Sequence, residues 1–329
     1  MHPQTGGSTG TITKKRKNWG PRISSLYTGP SKRALRSKGA HSPLIIMFKF
    51  TSQPKRDATN LLWLSDLHLD RADSESQSML YDTLAGIDYD AAVITGDITS
   101  SPLLKRHLTL LARASGRPMA FVLGNHDYSG ATIEETRAIV ADVCSRESKL
   151  HHLKRGTILP LTVDTALIGT DGWADAREGI LTCPATGHRM LGAIHDFRST
   201  TPGNRLHTMR ELGKESAAEI RATLPLALSC HRHVIVATHV PPFPSAARFD
   251  EMPCKRELMP FFSNMSLGLA LIGIARRFPN KLVTVLAGHT HCRVEQQWIL
   301  PNLEVRVAGS RPGAPTYETI IELGESVVA

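Results

Sequence analysis

A layered α/β fold is what this 329-residue chain predicts, on three observations. From Leu61 onward, short β-rich apolar runs alternate with helical ones, the pattern of strands covered by helices. Several of those runs are apolar at successive positions instead of every second one, as strands buried on both faces are. Five of them end abruptly in polar residues: Leu61 to His68, Ala91 to Asp97, Phe121 to Asp127, His233 to His239 and Lys281 to His291. Open α/β sheets place ligands at such strand ends.

Taken in order, residues 61–65 form a strand leading to Ser65-Asp66-Leu67-His68, and 75–86 read as a helix. The run 91–95 is a strand ending in Gly96-Asp97, and Pro102 to Ala114 is a helix with proline near its first turn. The strand 119–123 reaches Gly124, which allows close backbone approach, and then Asn125, His126 and Asp127. Alone, that tetrapeptide reads equally well as a capped turn. Thr132 with Glu135 makes a capping-box pattern that opens a helix to about Ser145. Two short strands, 157–163 and 165–169, flank a turn at Asp164. Residues 170–204 are polar, Gly-rich and too long for a mere connector; we read them as an inserted lid facing the substrate, with a surface excursion as the alternative. Helices follow at 205–224 and 263–277, with a strand at 233–238 between them, and the runs 282–286, 294–299, 303–308 and 317–323 are further strands. No internal repeat is present.

The composition, 41% hydrophobic and 21% charged, is that of a soluble globular chain. No apolar stretch reaches the roughly 18 residues of a membrane span; Leu267 to Ala275, interrupted by two glycines, reads as a buried helix. The formal charge of +9 points to nucleic acid only until its distribution is considered. Residues 1–46 hold nine Lys/Arg and no acid, so 30 Lys/Arg face 30 Asp/Glu in the remainder. The body is neutral and lacks the footprint of a duplex binder, so no nucleic-acid partner is expected for it. We therefore divide the chain into a disordered basic extension, 1–55, and a folded domain, 56–329. The extension is too poor in apolar residues to fold alone. Its Lys14-Lys15-Arg16-Lys17 cluster fits a nucleic-acid patch or targeting element, and with Met47 opening a fresh segment the first 46 residues also read as dispensable. Cysteines at 144, 183, 230, 254 and 292 show no zinc spacing, which fits a reducing cytoplasm.

The candidate ligands are Asp66, His68, Asp97, Asn125, His239, His289 and His291. Carboxylate, imidazole and amide oxygen without thiolate suit Mn, Fe or Zn in a working site better than a structural zinc. The pairs Asp66/His68 and His289/His291 stand two residues apart, so on an extended segment they emerge on one side and converge. The five tips resemble, in order, the five blocks of the calcineurin-like metallophosphoesterase family: Asp66-Leu67-His68, Gly96-Asp97, Gly124-Asn125-His126-Asp127, His239 within Thr238-His239-Val240-Pro241-Pro242, and Gly288-His289-Thr290-His291. The resemblance spans 61–292. It implies a four-layer arrangement, a two-sheet β-sandwich flanked by helices, with a centre of two divalent or transition metal ions at one edge. It further implies that Asp66, His68, Asp97 and His291 hold the first ion, that Asp97, Asn125, His239 and His289 hold the second, and that Asp97 is the bridge. Ions roughly 3.5–4 Å apart turn a water between them into hydroxide near neutral pH, and that hydroxide attacks phosphorus in line. By the same resemblance His126 is the non-ligand histidine that stabilises the phosphoryl group or protonates the leaving oxygen, and Asp127 orients it and supports its charged form.

One departure bears on substrate. Many family members carry an acid or a histidine three residues after the block aspartate, where this chain has Ser100; this weakens a cyclic-nucleotide assignment. Trp63, mid-strand, reads as core, and Trp173 stays open between core and a stacking platform. The expectation is a metal-dependent phosphoesterase acting on a small phosphomonoester or phosphodiester. A nuclease of the same superfamily is one alternative, opposed by the neutral body. A protein-binding scaffold without turnover is another, opposed by the intact ligand set.

Overall fold

Two sheets lie face to face. In the first, β2 (Ala58–Leu64), β3 (Ala91–Thr95), β4 (Met119–Val122) and β5 (Leu150–His152) run parallel, and β14 (Tyr317–Gly324) pairs antiparallel with β2 to close the edge. The second has the order β1 (Ile46–Met47), β6 (Thr157–Pro160), β7 (Thr165–Gly169), β8 (His233–Ala237), β11 (Leu282–Ala287), β13 (Leu303–Val307) and β12 (Val294–Leu300). A two-stranded ribbon, β9 (Arg248–Phe249) with β10 (Met252–Pro253), stands apart from both. The computed structural model describes residues 46–47, 58–180, 191–198 and 201–324.

Strand alternation explains the continuous apolar runs. Leu61 and Trp63 of β2 and Val93 of β3 point between the sheets, against Leu167 and Ile235 of the opposite sheet. Leu62, Leu64 and Ile94 point outward, under α1 (Ser74–Gly86), α2 (Ser101–Ser115) and α3 (Ile133–Arg146). The outer face of the second sheet is covered by α4 (Pro202–Cys230) and α6 (Met265–Arg277), which follows the single turn α5 (Met259–Phe262). The central strands therefore bury both faces, and the layers are helix, sheet, sheet, helix, as expected from the resemblance.

The Thr132–Glu135 capping box forms as read from the sequence. Three departures have physical causes. The helix placed at 205–224 runs on to Cys230 through Pro225. An internal proline costs roughly 3 kcal/mol, and burial of Leu224, Ala227 and Leu228 against the sheet offsets it. The helix placed at 263–277 begins at Met265, because the Asn264 side chain accepts from Leu267 N and caps it there, and the turn Met259–Phe262 precedes it as a separate element. Ile46–Met47 lies inside the stretch expected to be disordered up to Lys55, yet its backbone pairs in parallel with β6 and completes an open sheet edge. The rest of the expected basic extension lies outside the described residues.

Register places the site. Leu64 pairs with Ile94 and Thr95 with Val122, while Ala237 pairs with Leu286. Parallel strands in these registers end level, so the polar tips that follow them emerge together.

Candidate metal centre

The tips are not extended. Among the described residues eight non-glycine positions have positive φ, and five of them are Asp66 (50°), His68 (42°), Asp97 (52°), His289 (72°) and His291 (57°). Each such residue costs roughly 1–3 kcal/mol, strain that collects at functional sites. The i, i+2 pairs therefore do not converge as neighbours on one strand face. Asp66, His68, Asp97 and His291 come together, whereas His289 turns to His239. The turns are tight: a Cβ on Gly124 would collide with the Asp97 carboxylate, and one on Gly96, at φ +92°, with the His239 ring.

In the first group, ligand atoms of Asp66, His68, Asp97 and His291 all lie within 4.8 Å of one another. His68 Nε2 is 3.2 Å from His291 Nε2 and 3.6 Å from Asp97 Oδ2, and His291 Nε2 is 3.4 Å from Asp66 Oδ1. Burial lowers the His68 imidazole to about 4, so its ring is neutral. Burial also opposes a proton on His291, but the hydrogen bond and charge of Asp66 outweigh it and raise its pKa.

Asp97 reaches the second group through Oδ1, 3.3 Å from His239 Nε2. His239 Nδ1–H donates to Thr95 O at 2.9 Å and His289 Nε2–H donates to Phe261 O at 2.8 Å. Because a carbonyl only accepts, these bonds fix both tautomers. The remaining nitrogens, His239 Nε2 and His289 Nδ1, face each other at 3.2 Å. Two lone pairs in that position need a positive charge between them. Burial opposes a proton on His239, yet the adjacent Asp97 charge lifts it to about 9, while burial, with the His239 charge beside it, drops His289 to about 4. Asn125 Oδ1 is buried without a partner. Fixed tautomers, converging lone pairs and an orphaned oxygen suit a cation that none of these groups replaces well.

His126 and Asp127 separate. His126 Nε2 is 2.8 Å from Asp70 Oδ2, and its Nδ1 is 3.3 Å from an Arg71 guanidinium nitrogen. Arginine only donates, so Nδ1 accepts and Nε2–H donates to Asp70. Asp127, expected to orient His126, instead accepts backbone N–H bonds from Ile98 (2.8 Å), Thr99 (2.9 Å) and Gly124 (2.8 Å). It pins the Asp97 and Asn125 turns together. Burial, then the Asp97 charge, push its carboxyl up to about 8 against the pull of those bonds. The partner of His126 is Asp70, two residues past His68, where sequence adjacency gave no signal. Atoms of His68, Asp70 and His126 also lie within 4.8 Å of one another, but a cation there would sit beside Arg71.

The calcineurin-like phosphoesterase pattern matches residues 59–293, most of the described chain. The chain belongs to that family. Among solved structures it is similar to the phosphopantetheinyl hydrolase PptH of Mycobacterium tuberculosis, at 14% identity over 78% of this chain and 95% of that one, with a TM-score of 0.53. It is also similar to TT1561 of Thermus thermophilus, at 16% identity over 81% and 99% of the two chains, with a TM-score of 0.42. No curated protein matches it. The first likeness shows the shared fold.

Of the segment 170–204, Asp171 supports the site. The Asp171 carboxylate accepts from Leu123 N (2.9 Å), Tyr128 OH (2.7 Å) and His152 Nε2 (2.8 Å), and its carbonyl accepts from His239 N at 3.2 Å. It thereby joins the turns that carry Asn125 and His239. Trp173 is core: it is buried, and its ring lies 4.8 Å from Tyr128. Residues 181–190, with Cys183, lie outside the described residues. A cavity of about 500 Å³ opens over Asp97, Asn125, His289 and His291, with Arg71 and Arg198 among its lining residues. No described helix is long and apolar enough to cross a membrane.

Proposed function

We propose that this protein hydrolyses a small phosphomonoester or phosphodiester, with Asp66, His68, Asp97 and His291 holding one divalent cation and Asp97, Asn125, His239 and His289 a second. The observation that carries the reading is Asn125 Oδ1, buried without a partner beside the facing nitrogens of His239 and His289. Mn, Fe or Zn fit this oxygen and imidazole set. Cations held there would supply Lewis acidity toward the phosphoryl oxygens and a nucleophilic water at neutral pH.

The chain's own residues do the rest. Asp97 presents one carboxylate oxygen to each group. Its Oδ1 also accepts from His126 N at 2.8 Å, which holds the His126 turn beside it. When the phosphorus–oxygen bond breaks, the leaving oxygen needs a proton. Burial opposes a proton on His126, but the hydrogen bond to Asp70 and the nearby carboxylate charges outweigh it and raise its pKa. The imidazolium so formed carries on Nδ1 the proton it would give at the cavity once Arg71 moves aside. Asp70, at the opposite nitrogen, stabilises the imidazolium and keeps the ring aimed. The described cysteines, 144, 230, 254 and 292, are free thiols, which fits a reducing compartment such as the cytoplasm.

The test is a metal-reconstituted panel of bis-aryl phosphate, aryl monophosphate, cyclic nucleotides and single-stranded DNA. Metal-dependent turnover of an aryl phosphate is the expected result. Cleavage of DNA alone would favour a nuclease, and a fully loaded protein inert to the whole panel would leave a scaffold.

A further inference from the structure

The cavity over the centre, at about 500 Å³, falls in the roughly 300–1,000 Å³ range of sites that enclose whole small molecules. Its walls are uneven in charge. Among the described residues, Arg71 and Arg198 are the only lysine or arginine side chains lining it, and they come from distant parts of the chain. Neither guanidinium forms an ion pair with a described residue: the carboxylate next to Arg71, Asp70, is taken by His126.

Both cations stand on tied backbone. Arg71 N donates to His68 O at 2.8 Å, in the turn that carries the first candidate ligands. Arg198 follows the 3₁₀ turn His195–Phe197, where Ile194 and Phe197 are fully buried. That turn is laced to the loop before α3 by Gly130 N to Ala193 O (2.9 Å), His195 N to Ala131 O (2.9 Å) and Ile133 N to Asp196 Oδ2 (2.8 Å). An exposed cation on a fixed platform loses less freedom when it binds. Ser100 and Pro102 bring the N-terminus of the 15-residue α2 to the same cavity, and the Ser100 side chain makes no cap bond. With serine where an acid could stand, the positive end of the helix is left without a neutralising charge.

We propose that the substrate carries a second anionic group, a phosphate, sulfate or carboxylate beyond the scissile phosphoryl, and that Arg71 and Arg198 receive it at the cavity mouth. The inference rests on the phosphoester reading, which places the scissile group on the cavity floor. A substrate whose far end was neutral would leave both guanidiniums without a counter-charge there.

Calorimetric binding to the manganese-loaded protein tests it with three non-hydrolysable probes: propylphosphonate, 4-phosphonobutyrate and 3-sulfopropylphosphonate. Carboxylate and sulfonate probes separate the kinds of second anion. At least one anionic-tailed probe is expected to bind about tenfold or more tighter than propylphosphonate, as charge-assisted bidentate bonds allow. Arg198→Gln and Arg71→Gln should each remove most of that advantage. Equal binding of all three probes, or an advantage that survives both substitutions, overturns the second-anion subsite and leaves the phosphoester reading standing. If the loaded protein binds none of them, the phosphoester reading falls and takes the subsite with it.

Discussion

The two sides of the candidate centre are held in place by different means. In the group of Asp66, His68, Asp97 and His291, all four backbones are in the left-handed region, and the ligand atoms are aimed by strained turns. In the group of Asn125, His239 and His289, the rings are aimed by hydrogen bonds to fixed carbonyls, Thr95 O and Phe261 O. Exposure differs as well: the His291 side chain is 29% exposed and that of His239 is 1% exposed. Strain is not confined to the first group, since His289 also has positive φ, but His291 opens its group to the cavity while the hydrogen-bonded His239 ring is enclosed. Asp97 is the one residue that belongs to both.

That comparison breaks most sharply at Asp97. Changing Asp97 to Asn should strip metal from both groups, whereas His239→Ala or Asn125→Ala should deplete mainly one. Elemental analysis of the purified proteins decides it, and a fully loaded Asp97→Asn protein would remove the shared-bridge arrangement.

His126→Ala should spare metal content, since its ring belongs to neither group. General-acid help is typically worth 10²–10⁴-fold, and it matters most for poor leaving groups. The variant should lose far more activity on alkyl esters than on nitrophenyl esters. Asp70→Asn should show the same leaving-group pattern at about 10–100-fold, the usual effect of removing an orienting partner. If Asp127→Asn reproduced that pattern and Asp70→Asn did not, the assignment of partners would be reversed.

A smaller effect separates the open side from the sealed one. On treatment with a chelator, one equivalent of metal should leave faster than the other, and His291→Ala should accelerate only the fast phase. Stopped-flow detection with a chromophoric chelator reads this directly; a single phase for both equivalents would erase the distinction.

The smallest effect is on the pH dependence of the metal-free fold. His239, raised to about 9, contributes stability that is fully present below its ordinary 6.5 and is lost as pH rises through about 9. His68 and His289, depressed to about 4, contribute stability that is present above 6.5 and is lost as pH falls through about 4. The thermal midpoint of the metal-free protein should therefore fall on both sides of neutrality, and bound metal should flatten the alkaline limb. An alkaline limb unchanged in His239→Gln would assign it to another group.

The layers and the strand tips were legible because the central strands bury both faces, and an apolar run that stops at Asp, Asn or His marks its own exit from the core. The capping box of α3 was legible for a similar reason: Thr132 and Glu135 are partners three residues apart. Asp127 was misjudged because it is adjacent to His126 in sequence, yet in the 3₁₀ turn His126–Tyr128 the two side chains diverge. Asp70 and the partners of Asp171 gave no signal, since His126 lies 56 residues from Asp70 and Leu123 lies 48 from Asp171. Arg198 gave none either, because it meets the cavity only through the packing of its turn against the loop before α3. Pro225 marks the same limit: local rules end a helix at the proline, and the packing of Leu224 and Leu228 carries it on.

By itself the sequence determined which residue types stand at the ends of which strands, because hydrophobic periodicity and ligand chemistry are properties of short stretches. Only the tertiary structure decided how those ends share their work: which histidine faces which carboxylate, that Asp70 and not Asp127 serves His126, and that Arg198 overlooks the cavity. Those outcomes depend on strand register and on which backbone carbonyl a ring can reach, and both are set by contacts between segments far apart in the chain.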